Sequence, residues 1–248
     1  ASPPSGLGWS SWSPRAPARR EGGYSRSTAS PSIPGWATAP TVSSSIFSWR
    51  ATAVAGHVLG VNPFDQPDVE SAKREARAAL ASYREHGALP VAAHEIEAAA
   101  AVGEIARLLV PAPAGAYIAL QAFVDPGGAA PALRELAQAL RERSGLAVTA
   151  GFGPRFLHST GQLHKGGPPL GIFIQLVSAN PDDLMIPDDF GAADGATGFG
   201  VLKSAQSLGD LRALRAAGRR VVRVRLGDEG PGVAAALRAL ARTIRSLP

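Results

Sequence analysis

The sequence predicts an α/β fold, a layered sheet that is parallel or mostly parallel with flanking helices, preceded by a disordered head. Three observations carry this expectation. From Gly115 onward, short runs rich in Val, Ile, Leu and Phe alternate with longer stretches whose apolar residues recur at helical spacing. Those helical stretches are long enough to serve as the crossovers that parallel pairing requires. The first 50 residues differ in kind, with 13 Ser, 7 Pro and neither a strand nor a helix period.

The chain therefore divides into a head over 1–45, a helical segment over 46–114 and an α/β domain over 115–248. Two accounts fit the head: a natural disordered linker, or an out-of-frame reading of GC-rich DNA, which tends to yield this mixture of Ser, Pro, Arg, Gly, Ala and Trp. The second account is kept because Trp9, Trp12, Trp36 and Trp49 are all four tryptophans of the chain, whereas disordered segments are ordinarily poor in aromatics.

A short helix is expected from Ala51 to Leu59, then a turn over Gly60, Val61, Asn62 and Pro63. Pro67 suits the first turn of a second helix, where its missing N–H costs nothing. That helix is expected from Asp68 to about Glu85, with its stop near Gly87. The Ala-rich stretch His94 to Val110 reads as an amphipathic helix closed by Pro111 and Pro113. Tyr117 to Val124 is a buried strand, and Ala129 to Arg143 a helix with Leu133, Leu136 and Leu140 on one face. Leu146 to Ala150 and Leu170 to Val177 are further strands, with residues 151–168 read as a polar loop between them. A Gly, Asp and Pro-rich loop covers 179–198. The helix Gly200 to Ala217 is stopped by Gly218, the strand Arg220 to Leu226 follows, and Gly232 to Leu247 is the last helix. In such a fold the functional loops gather at the C-terminal ends of the strands.

Charge and composition narrow the function classes. The formal charge is +5, but residues 1–50 hold five Arg against Glu21 alone, and the remaining 198 residues carry 20 basic against 19 acidic side chains. That balance argues against a nucleic-acid surface, which needs Lys and Arg clustered on the folded part. With no cysteine, neither a disulfide framework nor a thiolate metal site is available, which fits a reducing, cytoplasmic setting. No apolar run approaches the roughly 18 residues of a membrane span, and the N-terminus lacks the short apolar stretch of a secretory signal.

The motif richest in chemistry is Gly60 to Lys73, GVNPFDQPDVESAK. Gln66 sits on the turn before the second helix; Lys73 lies about two helical turns further on, with Glu70 three residues before it. From spacing alone, Glu70 and Lys73 are a solvated helix pair. The whole segment, however, resembles the C-terminal signature of glucose-6-phosphate isomerases at Asn62, Phe64, Asp65, Gln66, Val69, Glu70 and Lys73, and departs from it at Asp68, where that family usually has Gly. The resemblance implies that Lys73 reaches the sugar's ring oxygen or hydroxyls and assists ring opening, and that Gln66 orients the sugar, with Glu70 beside them. An aldose–ketose isomerase also needs a base that moves a proton between C1 and C2, and donors for the developing oxyanion. The family takes that base from an upstream Glu segment; neither that segment nor the Ser/Thr-rich phosphate loops has a match here.

A second polar concentration, GFGPRFLHSTGQLHKGGP over 151–168, holds Arg155, His158, Ser159, Thr160, Gln162, His164 and Lys165 among glycines. Such a loop can surround an anionic sugar with a guanidinium, imidazoles and backbone N–H groups; its bland alternative is a well-bonded loop capping the sheet. His158 and His164 are six apart, which one helix face does not bring together, and no third ligand is spaced for zinc, so no metal and no cofactor is expected. This cluster, with Phe199 to Leu214 and the strand Arg220 to Leu226, resembles the C-terminal part of bacterial proteins that fuse a transaldolase to a glucose-6-phosphate isomerase domain, over about residues 50–248. His164-Lys165-Gly166 is similar to that family's His-x-Gly context, although there the His precedes the Lys signature and here it follows.

The resemblance thus implies a sugar-isomerase-like (SIS-like) sheet and the C-terminal portion of an isomerase acting on glucose 6-phosphate and fructose 6-phosphate. Lys73 and His164 are its catalytic candidates, and Gln66, Glu70, Arg155, His158, Gln162 and Lys165 its substrate-binding candidates. The expected partner is a small sugar phosphate, not nucleic acid or membrane, with a homo-oligomer or a covalently fused domain both compatible. A non-catalytic sugar-phosphate module and a truncated, inactive fragment stand as alternatives.

Overall fold

The computed structural model describes residues 41–180, 182–189 and 195–247, with side chains from Ser48 onward. The disorder expected over 1–40 lies outside the described residues. The chain falls into two units, Ala1–Pro63 and Phe64–Pro248. In the first, helix α1 spans Thr41–Leu59; it begins ahead of the expected Ala51 and takes in the last residues assigned to the head. Gly60, at φ 67°, ends it in the left-handed region, which glycine adopts without a Cβ penalty.

The second unit opens with α2 (Pro67–His86), closed by Gly87 at φ 71°. Strand β1 (Glu95–Glu97), a 3-10 turn and α3 (Ala101–Leu109) follow. Next come β2 (Tyr117–Phe123), α4 (Pro126–Ser144), β3 (Ala147–Phe152), α5 (Leu157–Gly166) and β4 (Gly171–Ala179). A small antiparallel pair, β5 (Met185–Ile186) and β6 (Thr197–Gly198), precedes α6 (Phe199–Ala216), β7 (Arg220–Asp228) and α7 (Pro231–Arg245). The main sheet has five parallel strands in the order β1-β7-β4-β2-β3, so the α/β expectation holds, with helices on both faces.

One face is aliphatic. Ile118, Leu120 and Ala122 of β2, Ile172, Ile174 and Leu176 of β4, and Val222, Val224 and Leu226 of β7 alternate along their strands and pack with α3, α4 and α7 in one buried cluster. At about 25 cal/mol per Å² of apolar surface removed from water, this cluster is the main source of stability. The opposite face is covered by α5 and α6, and α2 packs on those helices. Small side chains set the α2–α6 contact: a Cβ on Gly209 would stand 2.5 Å from the Ala72 carbonyl oxygen and 2.7 Å from the Ala76 nitrogen.

Two further local expectations change. Glu95–Glu97 pairs with Arg223–Arg225 as an edge strand, where the pattern predicts a helix from His94. Three residues are too few to show a period, and Glu95 meets Arg223 at 2.6 Å, a contact fixed only by tertiary structure. The polar stretch over 151–168, expected as a loop, contains the ten-residue helix α5. Its glycines lower helix propensity, and burial of Phe156, Gly161, His164 and Lys165 supplies what propensity does not. Within the loop over 179–198, the Asp183 carboxylate accepts from the N–H groups of Gly200 at 2.6 Å and Val201 at 3.0 Å, capping α6. Among the described residues no helix is long and apolar enough to cross a membrane.

Candidate functional site

The face under α5 and α6 carries a row of polar side chains set by strand register. Gln121 of β2 is level with Gln175 of β4, Gln175 with Arg223 of β7, and Arg223 with Glu95 of β1. Arg223 donates through Nε to Glu95 Oε2 at 2.6 Å, and through Nη1 to Gln175 Oε1 at 2.5 Å and Ser207 Oγ at 3.1 Å. The Gln175 amide donates to the Ser207 carbonyl at 3.1 Å. At the other end of the row, Gln121 Nε2 lies 3.2 Å from His164 Nδ1.

Above this row the Lys165 ammonium stands 2.5 Å from Asp210 Oδ1, both side chains being buried. Burial pushes the Asp210 carboxyl upward, against the opposing pull of Lys165 and of the Gln121 amide beside it. His164 is driven the other way, to about 4, first by burial and then by the neighbouring Lys165 charge. Its ring is neutral at pH 7. The α5 C-terminus is secured by Arg219, whose Nη2 donates to the carbonyls of Lys165 and Gly167.

A groove of about 270 Å³ runs between α2, α5 and α6. Val69, Ala72, Ala76 and Leu157 make its apolar walls, and Lys73, Arg77, His158 and Lys165 its cationic and imidazole groups. Among the described residues no carboxylate lines it. Helices α2 and α5 are tied at one end: the Asp68 N–H donates to Gln162 Oε1 at 3.2 Å, and Gln162 Nε2 donates to Asp68 Oδ2 at 2.6 Å. Gly166 leaves room for this pair, since a Cβ there would collide with the Asp68 carboxylate. Asp68, the point of departure from the isomerase signature, is thus the residue that docks α2 on α5.

The sequence candidates are sorted by this geometry. Lys73, His158 and Lys165 share the groove, although 85 residues separate Lys73 from His158 in the chain. Lys73 also pairs with Glu70 at 2.5 Å; both side chains are about half exposed, and the pair lowers the Glu70 pKa. Gln66 occupies the N-cap position of α2, exposed and with no side-chain capping bond. Gln162 is a tether. Arg155 and His164 lie elsewhere, in a separate cavity of about 260 Å³ between β3 and α5. Four further residues, Arg77, Gln121, Asp210 and Arg223, are not among the sequence candidates. Arg77 follows Lys73 by four residues, the spacing of one helix face. Gln121 is a polar residue inside an otherwise apolar strand, a signal that the sequence itself carries, whereas Arg223 and Asp210 stand among other charged residues of β7 and α6. Among the described residues no group of three or more His, Asp or Glu is placed to hold a metal ion.

No family model matches the chain, and no curated protein matches it. Among solved structures it is similar to a hypothetical protein from Thermus thermophilus, at 17% identity and a TM-score of 0.50, over 71% of this chain and 44% of that one. The chain therefore spans less than half of that protein's length, and the likeness concerns the fold alone.

Proposed function

We propose that the chain is the C-terminal portion of a cytoplasmic glucose-6-phosphate isomerase of the kind fused to a transaldolase, and that the groove between α2, α5 and α6 receives the sugar phosphate. The observation that supports this reading best is the meeting of two sequence-distant motifs: Lys73, from the signature helix, lines one groove with His158 and Lys165 from the polar cluster. In this reading Lys73 donates to the ring oxygen as the sugar opens, Gln66 orients it from the entry turn, and His158 supplies a further polar contact. The Lys165 ammonium lies at the floor of the groove with its charge matched by Asp210 at 2.5 Å. Arg77 joins Lys73 as an anion partner on the same helix face.

One observation favours a second reading, a sugar-phosphate-binding module without turnover. Proton transfer between C1 and C2 needs a base, and among the described residues no carboxylate lines the groove. Adding glucose 6-phosphate to the purified chain and following fructose 6-phosphate separates the two: turnover that Lys73→Ala lowers at least about a hundredfold supports the isomerase. Binding that saturates without turnover supports the module. Turnover that survives Lys73→Ala unchanged removes the catalytic assignment.

A further inference from the structure

Helix α5 separates two openings, and the second has chemistry of its own. The cavity between β3 and α5 is lined by Thr149, Gly151, Arg155, Ser159, Thr160 and His164 among others. A Cβ on Gly151 would stand 2.9 Å from that of Phe156, so glycine lets the start of α5 rest directly on the edge strand. The Arg155 side chain is exposed and makes no ion pair or hydrogen bond with any described residue, while its backbone carbonyl accepts from the His158 N–H.

The His164 tautomer follows from its neighbours. Gln121 turns its amide nitrogen, which can only donate, to Nδ1 at 3.2 Å. Nδ1 is therefore the acceptor, and the neutral ring carries its proton on Nε2. No described residue accepts from Nε2, and His164, 5% exposed, borders the cavity. Beside it the Ser159 and Thr160 hydroxyls both donate to the Phe156 carbonyl, each at 3.1 Å, which leaves their lone pairs to accept. The cavity thus offers a guanidinium and a neutral N–H as donors, and two hydroxyl oxygens as acceptors.

We propose that the cavity between β3 and α5 is a second ligand site, separate from the groove, for a small hydroxylated anion: Arg155 pairs with its phosphate or carboxylate, His164 Nε2–H donates to one of its oxygens, and Ser159 and Thr160 accept from its hydroxyls. This site does not depend on the isomerase reading, because none of these four side chains lines the groove.

The test uses the whole chain and two probes that share hydroxyls and differ in the anion, glycerol 3-phosphate and glycerate, each titrated while the His164 imidazole is followed by proton–nitrogen NMR. The expected result is the Nε2–H tautomer near neutral pH, a saturable shift of the His164 signals by at least one probe, an affinity reduced at least about tenfold by Arg155→Gln, and no change from Lys73→Ala. The responding probe identifies the anion. An Nδ1–H tautomer, silence of His164 toward both probes, or binding that Arg155→Gln leaves intact overturns the proposal. So does binding that Lys73→Ala abolishes, which would place the ligand in the groove. Loss of isomerase turnover with the His164 shift retained would count against the groove reading alone.

Discussion

The two faces of the sheet are both buried and are built from different chemistry. Beneath α3, α4 and α7 the strands present Ile, Leu, Val and Ala, with Phe152 at the end of β3; beneath α5 and α6 the same strands present Gln121, Gln175 and Arg223 beside Ala119, Phe123 and Phe173, with Asp210 and Lys165 facing them from the helices. An aliphatic face is stabilised by area and tolerates any filling of similar volume. A polar face is satisfied only in one arrangement, and each unpaired group costs more than its bond contributes. Both cavities adjoin α5, the groove between α2, α5 and α6 and the second between β3 and α5, and the aliphatic side is a platform.

Breaking the buried ion pair is expected to have the largest effect on this contrast. Asp210→Ala leaves the Lys165 ammonium buried without its carboxylate, and the cost is expected to be about 3–5 kcal/mol by urea denaturation. The double change Lys165→Met with Asp210→Leu is expected to recover most of it. If Asp210→Ala costs no more than a surface substitution, the polar face is not held by this pair.

Acid comes next. The folded-state pKa of His164 lies near 4, below its ordinary 6.5, so the unfolded chain binds the extra proton between those values. Stability is therefore full above about pH 6.5 and lost as pH falls toward 4, by about 3 kcal/mol from this residue. Comparing wild type with His164→Gln should remove that slope; a slope that persists unchanged assigns the acid sensitivity to other groups.

The smallest effect belongs to the aliphatic side. Ile174→Val, at a fully buried position of β4, is expected to cost about 0.5–1.5 kcal/mol and to leave ligand binding at either cavity unaltered. A change in binding from this substitution would show that the platform and the sites are coupled.

How much of the molecule is legible in its sequence varies along the chain. The strands β2 and β4 are largely apolar runs, recognisable from composition over a few residues, and β7 interleaves Val and Leu with Arg. Helix α4, with Leu133, Leu136 and Leu140 on one face, carries its own period. Helix α5 reads as a loop because its glycines and polar residues lack a period, and the burial that holds it comes from distant partners. Of the site, Lys73 and the polar cluster are visible as motifs, while Arg77 and Asp210 belong to none.

By itself the sequence determined the alternation of strand and helix, the α/β class and the two motifs, because these depend on local pattern. Only the tertiary structure decided that Gln121, Gln175, Arg223 and Glu95 stand in one row, that Lys165 is buried against Asp210, and that His158 and His164 open on different cavities. Strand register and helix packing bring together residues as far apart as Glu95 and Arg223, and such pairings leave no local trace in the chain.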